Sequence, residues 1–546
     1  MDVKKIFDEM QIDVEGIADP SLKAAIRILL NLIETQARVI EDLKKENQQL
    51  KDEIKRLKGE QGKPDIRKQT GPKKDISSEK ERKKKQEMKR RARQRKKNKI
   101  SANRTVTCDI DKETLPKDAV FKEWKPVIVQ DIVIQADNIE FRKAVYYSPS
   151  LGKTFVAPLP EGYSGEYGPN IKALVLDMHY SAKMSESAIH RFLENHGIVI
   201  SSATISRMLT ERHDNFHMEK MDIFNAGLFS SGYQQIDDTG ARVNGKNQHT
   251  HVVCNPFYTA FFTRPGKDRL TIIEILTQGP MTFRFDALSW AIMEEMNLSS
   301  KRLTQLEQQD LKEIMNRDEI DALLDRMFPG KGKFQTARRI ILEATAISAY
   351  RQLPYAIPIL VADDAPQFRQ IAELLALCWI HDGRHYKKLD PVVPMHRTML
   401  DDFLEKYWDY YHALHKFKES PTAEKKESLA SEFDTLFATR TGYDDLDERI
   451  AKTQSKKASL LLVLDYPEIP LHNNASELGA RVQARYRDIS FHNMSEKGLR
   501  AKDTFMTIVE TARKLAVNSY RYFQDRISRT FEMPSLASMI KTPVPL

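Results

Sequence analysis

Apolar residues return every seven positions near the start of the chain. Ile26, Ile33, Ile40, Asn47 and Ile54 form one series, and Leu22, Leu29, Gln36, Leu43, Leu50 and Leu57 interleave as the second. Nine of these eleven positions are aliphatic, isoleucine in one seam and leucine in the other, which is the pattern of a parallel two-stranded coiled coil. A homodimer through Ile26, Leu29, Ile33, Ile40, Leu43, Asn47, Leu50, Ile54 and Leu57 is therefore expected, with Asn47 fixing register. The alternative is a single amphipathic helix lying on the protein's own core, which wants a wider apolar face than two seams. Gly59, Gly62, Pro64, Gly71 and Pro72 then end the helix.

Downstream, residues 105–168 read as short strands and turns, among them Val127–Val129 and Ile132–Ile134. From 169 the pattern turns helical. Ala188, Ile189, Phe192 and Leu193 mark an amphipathic helix over 185–195, and Ser201 or Ser202 caps another running to about Arg212. The pair resembles a helix-turn-helix whose second helix offers Ser202, Thr204, Ser206 and Arg207 to a DNA groove; a hairpin that only packs on the next domain is the alternative.

From Phe229 onward, apolar runs predict strands at 233–237, 248–254 and 258–263, a helix from Asp268, and helical sequence over 288–350. A strand at 357–362 ends on Asp363, and Pro366 opens a helix after it. Helices at 394–416 and 423–438, one carrying Glu477 to about Arg487, a last one over 503–527 and a loose tail complete the chain. The expected fold is multidomain α+β, a ribonuclease-H-like α/β core with helical insertions, preceded by a coiled coil and a helical DNA-binding domain. Its parts are the coiled coil (1–60), a basic linker (61–104), a small β-rich, zinc-knuckle-like segment (105–168), the helix-turn-helix-like domain (169–228), the core (229–530, insertions near 285–350 and 382–470) and a tail (531–546).

Composition narrows the setting. A chain of 546 residues exceeds what one core usually holds. No apolar run is long enough to cross a bilayer and the first residues lack a secretion signal, so a cytoplasmic protein is expected. Cys108, Cys254 and Cys378 are too few and too scattered for a disulfide framework. The formal net charge of +9 is concentrated: Lys80 to Lys99 holds thirteen Lys or Arg against two Glu, so the rest of the chain is slightly acidic. A local device of this kind, including Lys83, Lys84, Lys85, Arg90, Arg91, Arg93, Arg95 and Lys96, has a polyanion as its natural partner, with a solvated tail as the plainer reading.

The candidate chemistry lies in three acidic stretches. Ile236-Asp237-Asp238-Thr239 and Val361-Ala362-Asp363-Asp364 each end an apolar strand in carboxylates, and Glu477 begins a helix. Two strand-borne aspartates and one glutamate suit two divalent cations, Mg²⁺ with Mn²⁺ as substitute, and hence phosphoryl transfer on nucleic acid. Neighbours in a strand face opposite ways, so only one of each aspartate pair can serve; strand phase selects Asp237 and Asp363. Arg481 and Arg485 on the glutamate helix are placed for DNA phosphates. Cys378, His381 and His385 make an incomplete metal set, better read as a packed helix end.

These residues also carry a resemblance. Ile236 to Lys246, Cys378-Trp379-Ile380-His381 with Arg384, and Pro470 to Glu477 with its Asn473-Asn474 pair are similar to motifs of the insertion-sequence sixty-six transposases of TnpC type, and the order of segments matches over nearly the whole chain. The resemblance implies a DDE transposase, a bacterial, nucleoid-associated mobile-element enzyme that binds transposon ends, cuts the strand and joins the 3′ hydroxyl to target DNA, with Asp237, Asp363 and Glu477 as catalytic metal ligands and small accessory proteins as partners. The family's paired cysteines are missing around Cys108, so zinc is not expected; His472 stands where aspartate commonly precedes the asparagines, and Leu478 where arginine commonly follows the glutamate.

A non-catalytic DNA-binding relic or regulator, or a structure-selective nuclease on the same core, are the alternatives. If the basic stretch meets about eight phosphates, DNA affinity falls with salt at a log–log slope of about −7. Deleting residues 80–99 should remove most of that slope, read by fluorescence anisotropy across salt concentrations.

Overall fold

A computed structural model describes residues 14, 16–57, 102–111, 114–116, 118–330, 332–490 and 493–540. The basic positions Lys83, Lys84, Lys85, Arg90, Arg91, Arg93, Arg95 and Lys96 lie outside the described residues, as does the packing of Leu57.

The centre is a five-stranded mixed sheet. Strands β1 (Tyr233–Val243), β2 (Lys246–Cys254) and β3 (Thr259–Arg264) form an antiparallel meander, and β4 (Ile359–Ala362) and β5 (Leu374–Leu377) join in parallel on the far side of β1. The order is β3-β2-β1-β4-β5. Asn244 and Gly245, both at positive φ (45° and 74°), close the first hairpin, as an Asn-Gly pair does where the turn must follow the strand twist. Ile236, Val252, Val253, Phe261, Leu360 and Val361 are all but fully buried, so the sheet interior reads as continuous apolar sequence.

Strand β5 corrects one expectation. Pro366 opens only a single 3₁₀ turn (Pro366–Phe368), after which the chain pairs with β4 instead of continuing as a helix. The physical reason is the parallel edge that β4 leaves open, which a short apolar run can fill.

The chain falls into two units. One comprises residues 70–157 and 190–200; its described part contains a hairpin, Val145–Ser148 with Lys153–Val156. Val127–Val129 and Ile132–Ile134, expected as strands, form no ladder, and Val127, Val129, Ile132 and Val133 are 77–82% exposed. β-branched residues favour extended backbone, but a strand needs a neighbour for its amides. None of the described residues provides one for these.

The other unit holds residues 1–69, 158–189 and 201–546. Helix α1 (Pro20–Leu57) begins it and docks on its own protein. Glu34, 6% exposed, accepts the backbone amides of Val392 and Val393 (3.0 and 2.8 Å) and faces His396 Nδ1 at 3.2 Å, where helix α8 (Pro394–Glu419) begins. Asn31 donates to Gly442 O at 3.0 Å, and Arg38 pairs with Asp445 at 2.5 Å. Burial would raise Glu34, yet His396 and the two amides outweigh it and hold the carboxyl below its ordinary range. Of the expected seam, Ile26 packs against Val14, Leu30 and Val393. Leu29, Ile40, Leu43, Leu50 and Ile54 remain about half exposed, with Asn47 exposed beside them.

Helices α2 (Glu186–Asn195), α3 (Ser202–Thr210) and α4 (Asp214–Phe229) precede the sheet. Helix α5 (Arg269–Thr277) starts at Asp268, which caps Thr271 N at 3.0 Å; helix α6 (Gln335–Arg351) covers it through the buried pair Arg269–Glu343 at 2.5 Å. The expected helix over 503–527 is two: α11 (Glu496–Lys514) and Ser519–Ser528, parted at Ala516, which holds φ 58°. Of the tail expected to be loose, the described residues 535–540 are packed, with Leu536 fully buried in a short helix (Leu536–Met539), and 541–546 lie outside the described residues. Among the described residues, no helix is long and apolar enough to cross a membrane.

Helix α11 seals the outer edge of the sheet with side chains. Thr511 Oγ1, Thr507 Oγ1 and Asp503 Oδ2 accept the backbone amides of Thr259, Phe261 and Thr263 at 3.2, 3.1 and 2.6 Å. Four helical residues rise about 6 Å and two strand residues about 6.6 Å, so the two ladders stay in step. Asp503 also accepts Thr263 Oγ1 at 2.9 Å and faces the fully buried Lys502 at 3.3 Å. Asp503→Ala leaves Lys502 buried without its counter-charge and should cost about 3–5 kcal/mol of folding stability, measurable by urea unfolding.

Candidate active site

Strand register brings the two aspartates level. β1 and β4 run parallel with Gln235 opposite Val361, so two residues further on Asp237 and Asp363 share a face and a height. The glutamate comes from helix α10 (Asn474–Ser490). Ala475 N donates to Gln235 Oε1 at 3.1 Å and Ser476 Oγ to Ile236 O at 3.4 Å, which ties the helix start to β1 beside Asp237. One turn on, Gly479 lies so close to β2 that a Cβ there would meet Val252 at 2.6 Å. His472, in the place where the resemblance implies aspartate, still supplies an acceptor: its Nδ1 takes the Asn474 amide at 3.3 Å.

The two members of each aspartate pair are sorted by their partners. Asp238 accepts Gln367 Nε2 at 3.2 Å, and Asp364 is paired with Arg369 (2.9 Å) and Lys456 (2.5 Å). Burial alone would raise Asp364, but the hydrogen bonds and charges of Lys456 and Arg369 hold it below its ordinary value. Asp237 and Asp363 accept only local amides, from Asp238 at 2.8 Å and Ala365 at 3.1 Å, and have no cationic partner among the described residues. Burial pushes Asp237 up to about 7; the Asp238 amide opposes this, while the negative charges of Asp363, Asp238 and Glu477 add to it.

Glu477 is turned toward helix α7 (Trp379–Lys388). Its carboxylate stands 3.5 Å from His381 Nε2 and 3.3 Å from Arg384 Nη2, and Arg384 Nη1 lies 2.9 Å from His381 Nε2. Trp379, fully buried among Tyr407, Tyr410 and Phe433, donates its backbone amide to Leu471 O at 3.0 Å and so fixes α7 against the segment leading to Glu477. A cavity of about 280 Å³ beside this group is lined by Asp363, Asp364, His381, Asp382, His385 and Lys456. Cys378 is buried, and burial pushes its thiol up to about 12. Among the described residues, no three His, Cys, Asp or Glu side chains stand close enough, as placed, to hold one ion.

The remaining expected contacts are distributed along the surface. Arg481 and Arg485 are exposed on α10 beyond Glu477, and Arg487 donates to Gly240 O at 2.8 Å. On α3, Ser202 and Arg207 are exposed, Ser201 Oγ caps Thr204 N at 3.2 Å, and Arg207 Nη2 meets Thr204 Oγ1 at 3.1 Å. Sequence reasoning gave no role to Gln367, Arg369 and Lys456, read His381 as part of a packed helix end in preference to a metal set, and quoted Arg384 only within a motif, so the shared face of His381 and Arg384 was not drawn. Their spacing of three on one helix is the signal that they share a face.

The raised carboxyl of Asp237 carries a pH signature. Its folded value lies above its unfolded one, so the stability it confers below about pH 4 is lost as pH rises through about 7. Asp237→Asn should abolish that decline and stabilise the cation-free protein at pH 8 by about 1–2 kcal/mol, seen by calorimetry in a chelator.

Comparison with known proteins gives the family. Residues 164–289 match the model of the Transposase IS66 family, a stretch that contains Asp237 and ends before Asp363 and Glu477. The uncharacterized protein y4jO of Sinorhizobium fredii (strain NBRC 101917 / NGR234) is 30% identical over 309 residues, 56% of this chain and 94% of that protein. The chain belongs to the Transposase IS66 family.

Proposed function

We propose that this protein is a DDE transposase that binds the ends of its element, cleaves a strand there and joins the freed 3′ hydroxyl to target DNA. The observation that carries this reading is the convergence of Asp237, Asp363 and Glu477 on one end of the sheet, through the β1–β4 register and the anchoring of α10 on β1. The sheet order, three antiparallel strands with two parallel ones added beside the first, supports a ribonuclease-H-like core. Family membership supports DNA as the substrate.

The donor set fits hard divalent cations: three carboxylates, of which Asp237 is crowded by like charge and lacks any cationic partner among the described residues. Asp237, Asp363 and Glu477 would hold two Mg²⁺ or Mn²⁺. Bound there, the cations supply charge stabilisation at the phosphodiester and a more acidic attacking hydroxyl or water. The chain itself positions the reactants. In cleavage a water oxygen bonds to phosphorus as the P–O3′ bond breaks; in joining, the released 3′ hydroxyl attacks a target phosphodiester and displaces its 3′ oxygen. Lys456 and Arg369 keep Asp364 out of this chemistry, while Arg481 and Arg485 lie ready for backbone phosphates.

Around the core, Ser202, Thr204 and Arg207 on α3 would meet the element end, and the basic stretch would add sequence-independent affinity. The half-exposed Leu29, Ile40, Leu43, Leu50 and Ile54 support pairing of α1 with a second copy, while the opposite side of the helix stays docked through Glu34.

The test uses purified protein, Mg²⁺ or Mn²⁺, and labelled element-end DNA with a target duplex. Cleavage and joined product are expected, and Asp237→Asn should lower both at least a thousandfold with DNA affinity unchanged. Cleavage without joining would favour a nuclease. No cleavage with either metal would favour a DNA-binding regulator.

A further inference from the structure

A second polar cavity lies at the outer edge of the sheet, about 440 Å³ in volume, between α4, β3, the end of α5 and α11. That size falls within the range of roughly 300–1,000 Å³ typical of small-molecule sites. Its floor holds Lys220, only 9% exposed, whose ammonium sits 4.1 Å over the ring of Phe262. No carboxylate lies within ion-pair distance of that ammonium among the described residues. A buried cation without a carboxylate normally demands explanation.

Of the three acids lining it, Asp503 and Glu274 are already committed, and Glu496 lies exposed at the rim. Asp503 accepts from Thr263 N and Thr263 Oγ1 and faces Lys502, and Glu274 is paired with Arg264 at 3.2 Å. Three further polar groups lining the cavity have unused capacity. Arg500 is exposed at its mouth with no ion pair among the described residues. Gln278 has its amide nitrogen buried without an acceptor. His217 is bonded through Nδ1 to Thr504 Oγ1 at 2.8 Å, leaving Nε2 without a partner among the described residues. Burial draws the Lys220 amine down to about 8, opposed by Asp503 and reinforced by the positive field of Arg264, Lys502 and Arg500. Positive charge is thus in excess at the bottom of the cavity, where Lys220 has no counter-ion among the described residues, while its mouth carries Arg500 with Glu496 one helical turn before it.

We propose that this cavity binds a phosphomonoester, with the phosphoryl group received by Lys220 and Arg500 and by the amide of Gln278. A monoester carries nearly two negative charges at neutral pH and several acceptor oxygens, which two cations and neutral donors match; a carboxylate would satisfy only part of the set. The volume leaves room for the nucleoside-sized remainder of a 5′-phosphorylated end. The site shares no residue with Asp237, Asp363 or Glu477, and the inference does not rest on their role.

Calorimetric titration of the full chain with inorganic phosphate, thymidine 5′-monophosphate and thymidine tests it. Both phosphate probes should bind and thymidine should not. Lys220→Met should weaken binding at least tenfold, as should Arg500→Gln, which lies at an exposed position and leaves the fold undisturbed should the buried change prevent folding. Absence of binding to the unaltered protein, or equal binding by Arg500→Gln, overturns the proposal. Oligonucleotides ending in 5′ phosphate or 5′ hydroxyl then identify the source: preference for the phosphorylated end places a DNA terminus in the cavity, and equal binding alongside retained thymidine monophosphate affinity restricts it to free mononucleotides.

Discussion

The pairing of Gln235 with Val361 is the contact on which the site depends. Two acids 126 residues apart become neighbours only because two short strands run parallel and in one register. A slip of one residue would turn Asp363 to the opposite face and bring Asp364 forward. The helices between them, including α5 and α6, are fastened from within by Arg269, which reaches Glu343 and Pro366 O at 2.5 and 2.6 Å. That guanidinium sits two residues beyond Asp364, so the packing of the intervening segment and the position of the second strand end are set together.

Around those strand ends, charge is distributed by selective pairing. Asp364 is neutralised by two cations and Asp238 accepts the side-chain amide of Gln367, whereas Asp237 and Asp363 each accept only a local backbone amide and face no cation among the described residues. Glu477 is the third case, since its neighbours, His381 and the guanidinium of Arg384, sit on a helix fixed by buried Trp379. A carboxylate held by an exposed arginine and a histidine at 3.3 and 3.5 Å is held by contacts of modest strength, which solvent and ions screen. The resting arrangement therefore stores repulsion at one acid and a loose attachment at another.

Much of this was legible in the sequence, and the remainder has identifiable causes. Strands β1 to β4 could be read because apolar runs were bounded by turn residues such as Gly245 and Asn255-Pro256 or by an acid, although β1 runs past Asp237 to Val243. Likewise the heptads of α1 gave a helix with two seams, but could not show that Glu34, off the seams, would cap α8 more than 350 residues away. Strand β5 was missed because Leu374–Leu377 is four residues long and follows a proline turn that also fits a helix start. The opposite error arose at Val127–Ile134, where residues favouring extended backbone found no partner. The break at Ala516 left no trace, since alanine seldom adopts positive φ and signals nothing when it does. Partners such as Lys456 and Arg369 are invisible because an ion pair between distant segments has no periodicity.

The hydroxyls and carboxylate of α11 that occupy the amides of β3 bear on more than stability. An uncovered boundary of this kind would accept a strand from any neighbouring copy, the ordinary first step toward fibres. With Thr259, Phe261 and Thr263 already satisfied, crowding many copies on one nucleic acid brings no main-chain adhesion along this flank. Under the proposed function copies would gather on DNA, and this side is closed to the aggregation that such gathering would otherwise encourage.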